Sequence, residues 1–155
     1  MTVVGGTTAF EMKRKLIEMA KANPALSFLQ DQDAIWDSSY SGSARPRQLL
    51  WFGEIVWSSD NNVLMGRTPP RREEEYNIRV GIEINDWDNV QTEANMKAET
   101  IMQELENMVG DYPAFEIPGL VRVGIVPIGL GEGPGGAEGS RAAFLAIQVN
   151  VTARK

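Results

Sequence analysis

From Tyr76 to Ile84 the chain alternates without a fault. Tyr76, Ile78, Val80, Ile82 and Ile84 are apolar, and Asn77, Arg79, Gly81 and Glu83 stand between them. Successive side chains of a strand point to opposite faces, so this stretch predicts a strand with one dry face and one wet face. Its apolar set is β-branched or aromatic, the types that suit a pleated, half-buried surface. Such a strand belongs to an antiparallel or mixed sheet with helices over the dry side. We take it as the sheet centre. The charge block before it, Arg71, Arg72, Glu73, Glu74 and Glu75, reads as exposed, two-signed and a candidate contact surface.

The other elements follow from shorter signals. Thr8-Ala9-Phe10-Glu11 has the form of a capping box and predicts a helix start. Phe10, Met12, Leu16, Ile17, Met19 and Ala20 then recur at helical spacing until Asn23-Pro24 ends the run. Ala34-Ile35-Trp36 is a short strand candidate, and 38–46 is a polar loop. Residues 49–57 form a strand with large apolar groups on both sides: Trp51, Ile55 and Trp57 on one, Leu50, Phe52 and Val56 on the other. A doubly apolar strand lies between two layers or against a neighbouring subunit. A long connection over 58–70 precedes the central strand.

Asp88 followed by Gln91 reads as an N-cap for the longest helix. Its apolar stripe is Val90, Ala94, Ala98, Ile101, Met102, Leu105, Met108 and Val109, closed by Gly110 as C-cap and Pro113 beyond. Strands at 120–126 and about 142–153 flank a glycine-rich loop over 129–139. The expectation is one α+β domain over 1–155, a mainly antiparallel or mixed sheet packed by two helices, in the order α-β-β-β-α-β-β. At 155 residues and 43% hydrophobic content, the chain is long enough for a real core.

The chemistry is narrowed by two absences. There is no cysteine, hence no disulfide, thiolate site or thiol nucleophile, and no histidine, hence no imidazole base or ligand. No apolar run of about 18 residues predicts a membrane span. The first residues lack the pattern of a signal peptide, so the expected compartment is the one where the chain is made. A net charge of −6 argues against tight binding to phosphate backbones. The aspartates at 31, 33 and 37 lack the glycine and closing glutamate of a calcium loop, and loop solubility accounts for them.

Gly131-Glu132-Gly133-Pro134-Gly135-Gly136 matches G-x-G-x-x-G, but a strand pattern follows where a dinucleotide site needs a helix N-terminus. The segment is read either as a hairpin tip or as a loop that orders against a partner. What remains for catalysis is carboxylate chemistry by Glu73, Glu74 and Glu75 or by Asp86 and Asp88. No cofactor or metal is called for.

Taken together, the capped first helix, the Trp/Phe-rich strand over 50–57, the Arg71-Arg72-Glu73-Glu74-Glu75-Tyr76 run entering an alternating strand, the Glu/Ala/Met helix and two last strands around a glycine-rich loop resemble the tail terminator proteins of long-tailed phages with non-contractile tails, especially those infecting actinobacteria. The resemblance covers roughly residues 8–153, and its most specific piece is that charged run. It implies a virion structural protein that forms a homohexameric ring at the head-proximal end of the tail. Such a ring caps the tube, ends its polymerisation and offers a docking surface to the head–tail connector. The partners implied are further copies of the chain, the tube protein and neck proteins, with genomic DNA passing through the lumen unbound. Six copies at −6 would carry about −36, a lining that DNA does not stick to. The expected interface residues are Arg67, Arg71, Arg72, Glu73, Glu74 and Glu75, the indoles of Trp51 and Trp57, and Gly131, Glu132, Gly133 and Glu138. The alternatives are another head–tail joining protein, or a small carboxylate-dependent hydrolase.

Overall fold

The computed structural model describes residues 7–38, 40, 45–58, 63–64 and 71–154, with backbone only at 63–64 and 71–72. Along them run helix α1 (Ala9–Ala22), a 3-10 turn (Pro24–Leu26), the single-turn helix α2 (Ser27–Gln30), strands β1 (Ile35–Asp37), β2 (Gln48–Trp57), β3 (Val63–Leu64) and β4 (Arg71–Trp87), helix α3 (Gln91–Gly110), a second 3-10 turn (Tyr112–Phe115), and strands β5 (Leu120–Pro134) and β6 (Arg141–Arg154). The class is α+β, as expected. Between the expected elements stand α2 and its preceding turn. There Pro24 pre-sets the helical φ, and Asn23 Oδ1 accepts the Ala25 amide at 3.0 Å.

The sheet order is β1-β2-β4-β6-β5, which puts the alternating stretch in the middle, and β3 pairs with the start of β4. All ladders are antiparallel except β1 with β2, so the sheet is mixed. The dry face of β4 is as read: Tyr76, Ile78, Val80, Ile82 and Ile84 are all buried. Helix α3 lies across β6, β4 and β5 on that side, and α1 packs beside it over β1 and β2. Its stripe of Ala94, Ala98, Ile101, Leu105, Met108 and Val109 joins Met12, Leu16, Phe52 and Ile78 in one core.

Several local expectations are corrected. The capping box does not form. Thr8 has helical dihedrals and its hydroxyl is drawn to Glu74 and Tyr76, while Thr7 Oγ1 accepts the Ala9 amide at 3.0 Å. Asp88 does not cap α3 either; the N-cap position is Val90 and carries no side-chain bond. Val90 itself leaves the predicted stripe, 42% exposed. Gly110 ends α3 but is not the left-handed residue; that conformation falls to Glu116 after the following 3-10 turn.

The glycine-rich segment is the largest revision. Gly129, Gly131 and Gly133 are strand residues, paired with Ala146, Phe144 and Ala142 on β6. Only 135–140 is left as the turn. Glycine weakens an isolated strand, but a well-formed neighbour can impose the ladder on it. Most of the 58–70 connection lies outside the described residues.

The two faces assigned to β2 also change, for a definite reason. Gly53 and Glu54 sit where the register slips between Phe52↔Val80 and Ile55↔Ile78, so two residues oppose the single Arg79. This is a β-bulge, and the extra residue reverses the parity of everything after it. Ile55 and Trp57 therefore join Leu50 and Phe52 on the helix side, opposite Ile78, Tyr76, Ile82 and Val80. Trp51 stays on the other side with Val56, opposite Gly81 and Asn77.

If α3 holds the fold through its stripe, Ile101→Ala, at a fully buried site, should destabilise the chain by about 2–5 kcal/mol in denaturant titration. A change below about 0.5 kcal/mol would place the helix outside the cooperative core.

Candidate interaction surface

The charge block is split by strand alternation. Glu74 has the parity of Tyr76 and Ile78, and it is 3% exposed. Glu75 is exposed, and Glu73 is half-buried with Arg154 Nε 3.3 Å from its Oε2. The reading of the whole block as exposed is therefore corrected at Glu74. Arg67 lies outside the described residues, as do the side chains of Arg71 and Arg72.

A buried carboxylate is tolerated only when donors surround it. Glu74 accepts from the Thr7 hydroxyl, from the Thr8 amide at 3.1 Å, from the Thr8 hydroxyl at 3.4 Å and from Trp57 Nε1 at 3.1 Å. The Thr8 hydroxyl also lies 2.9 Å from the Tyr76 hydroxyl. Burial, then opposed by the contact with Thr8 and reinforced by the nearby Glu74 charge, pushes Tyr76 ionisation far above the usual phenol range. The cluster ties the start of α1 to the sheet. It fixes Trp57, 38% exposed, against Phe10, 65% exposed, edge to face at 6.0 Å.

The other face of the sheet carries Trp51 and Val56 of β2 and Phe144 of β6. Its centre is an indole lying over a glycine. A Cβ on Gly81 would meet Trp51 Cε2 and Cζ2 at 2.2 Å, so only glycine allows this placement. Trp51 donates from Nε1 to Glu83 Oε2 at 2.8 Å and stacks on Phe144 with ring centroids 6.0 Å apart. Arg45 holds the other Glu83 oxygen at 2.6 Å. Next to these rings Phe144, Val126 and Ile128 are 38%, 43% and 51% exposed. Trp51, Phe144 and Ile128 border a groove of about 620 Å³ whose polar rim includes Arg79 and Glu54. This is an apolar strip with charged margins, the composition of a contact surface.

At the lower end the hairpin turn is held by Asp86, in the left-handed region with φ 53°. Its Oδ1 accepts from the Ala137 amide at 3.0 Å and from the Ser140 hydroxyl at 3.3 Å. The Ala137 bond is the main reason its carboxyl is held below the ordinary value, with Gly136, Ser140 and Arg47 adding to it. Glu132 accepts from Asn95 Nδ2 at 2.6 Å, joining β5 to α3, while Gly131 and Glu138 are exposed and Gly133 is half-buried. Trp87 lies between Arg47, 4.1 Å from its ring centroid, and Lys97, 5.3 Å away. Neither the Asp86 clamp nor the Phe144–Ile128 strip was singled out from the sequence.

Most of the carboxylates offered for catalysis are held in structural contacts. Glu73 and Glu75 point away from Glu74, and Asp88 lies 3.8 Å from Arg47 while Asp86 holds the turn. Three grooves, two of about 440 Å³ and one of about 620 Å³, carry one carboxylate each: Glu75, Asp37 and Glu54. Among the described residues no group of three acidic, histidine or cysteine side chains could hold a metal ion. No helix among them is long and apolar enough to cross a membrane.

No protein-family model and no curated protein matches the chain. Among solved structures, a chain from the virion of a native gene transfer agent particle aligns over 94% of this chain and 98% of its own length. The identity is 11% and the TM-score 0.48.

The site makes two predictions. Replacing Glu74 by Ala strands buried donors and should cost about 1–3 kcal/mol, read by thermal or denaturant unfolding; an unchanged midpoint would remove the cluster from the account. A depressed carboxyl pKa gives a contribution present above the ordinary value of 3.8 and lost as pH falls through the lower folded value. The protection factor of the Ala137 amide, corrected for intrinsic exchange, should therefore fall in acid below that range. In Asp86→Asn it should be insensitive to pH there.

Proposed function

We propose that this chain is a virion structural protein whose copies form a ring on the head-proximal end of a phage tail tube, stop its polymerisation and receive the head–tail connector. The observation that carries the reading is the contrast between surfaces and sites. A helix-backed sheet leaves an apolar strip at Trp51, Phe144 and Ile128 uncovered, while the acidic side chains are spread over separate grooves. A ring uses heterologous contacts, one patch meeting a different patch on the next copy. Arg71 and Arg72, with Glu73 and Glu75, would set the register of these contacts or of the contact with the tube. Trp57, Gly131, Gly133 and Glu138 are offered to the same contacts. Glu74 instead serves from inside, by fixing the strand that presents the block. The same features suit a neck protein at the head–tail joint, which differs only in its neighbour.

Native mass and negative-stain imaging, alone and with purified tube protein, test this directly. A ring, free or on the tube end, is expected, and tubes should stop growing when it is added. A monomer that ignores tubes contradicts the reading. Glu73→Lys with Glu75→Lys should weaken assembly by about tenfold or more through misplaced like charges, beyond any loss of folded protein read from the unfolding midpoint. Unchanged assembly in that variant would exclude the block from the contact.

A further inference from the structure

Among the described residues the sheet has two open edges that match. β1 leaves the sheet early: its last register pair is Asp37↔Phe52, followed by the bond from the Ser38 amide to the Phe52 carbonyl at 2.6 Å. Beyond that point, among the described residues, no strand lies beside 53–57 of β2. Between helix α1 and this stretch is a groove of about 440 Å³, lined by Phe10 and Ile17 on the helix and by Ile55 and Trp57 on the strand. The ion pair of Lys13 with Asp37 at 2.8 Å closes its foot. The groove is thus a slot beside the strand edge, with apolar side chains on both walls and charged ones among its lining.

On the opposite edge β5 has, among the described residues, a ladder only with β6. The Tyr112 hydroxyl takes the Val121 carbonyl at 2.9 Å, and Pro127 has no amide hydrogen. Residues 122–126 lie between these two stops. They occupy the same rows of the sheet as the slot. Register partners run from Trp57 through Tyr76 and Val151 to Val123, and from Ile55 through Ile78 and Val149 to Ile125. Three successive antiparallel ladders make β2 and β5 run in opposite directions. Rotation about a ring axis aligned with the strands keeps their direction from copy to copy, so the two edges would meet as an antiparallel ladder without sliding.

We propose that copies of this chain join in this way, with 122–126 of one copy added as a strand beside 53–57 of the next. The inference rests on the ring reading above and supplies its subunit joint. Val123 and Ile125 would face Phe10, Ile55 and Trp57 in the slot, and Val126 would extend the Trp51–Phe144 strip of the next copy. In this register Arg122 falls beside Ser58 and Glu54 beside Val126, so the two outer-face charges stand about four residues apart along the joint. Arg122 is exposed and has no ion pair among the described residues, while Glu54, 70% exposed, is held only at 3.9 Å from Arg79. Gly124, lying between Arg122 and Val126, puts no side chain in their way.

Engineered cysteines test the joint, since the chain has none of its own. Val56 and Gly124 share a row, and a Cβ at Gly124 meets nothing within 4 Å, nor does one at Gly133. Val56→Cys with Gly124→Cys should give an oxidised ladder of multimers. Val56→Cys with Gly133→Cys should give roughly tenfold less, because cysteines more than about 7 Å apart at Cα cannot bridge. Equal ladders in the two variants, or none in the first, overturn the proposal. The native mass of the unmodified chain separates the failures. A ring without this cross-link removes the edge joint alone, and a monomer without it removes the ring as well.

Discussion

The strict two-residue period of β4 is the constraint from which the other features follow. Because it sits in the middle of the sheet, its parity decides which face of every neighbouring strand is dry. The apolar set from Tyr76 to Ile84 calls α3 and α1 to one side. The same parity, extended two residues back, carries Glu74 inside, where hydroxyls, an amide and an indole must gather around it. On the wet side Gly81 leaves room for the Trp51 ring. A shift of one residue would bury Arg79 and expose Ile78, so the register is held by the core itself.

With α1 and α3 on the dry side, an apolar strip on the other face and, among the described residues, parts of both edges are left open. Long exposed edges invite pairing, and proteins usually blunt them. Here the blunting is partial. Pro127 and the Tyr112 bond limit β5, and β1 covers β2 only as far as Phe52. The stretches left open fall on the same rows with opposite direction, which is what a repeating head-to-tail assembly requires. The ring proposed above would use this geometry, and the three grooves described each hold one acidic side chain.

Local, repeated signals were legible in the residues. The period of β4, the stripe of α3 and the proline stop after α1 each depend on neighbours within a turn or a strand. What was not legible depends on distant partners. The bulge at Gly53 is invisible to an alternation count, and it moved Ile55 and Trp57 away from the face of Trp51. The glycines at 129, 131 and 133 read as loop because the ladder that orders them belongs to β6. Asp86 meets Ala137 across 51 residues, so its clamp had no local mark. Glu74 could have been found, by continuing the parity of Tyr76 backwards through the charges.

The central claim is that the open edges of this sheet are filled by other copies in the working assembly. Amide hydrogen exchange, compared between a dilute and an assembled sample, tests it most directly. Amides in 53–57 and 122–126 should gain protection together on assembly, while the inner strand β4 between 76 and 84 stays as it was. Protection gained elsewhere with both edges still exchanging freely would contradict the account.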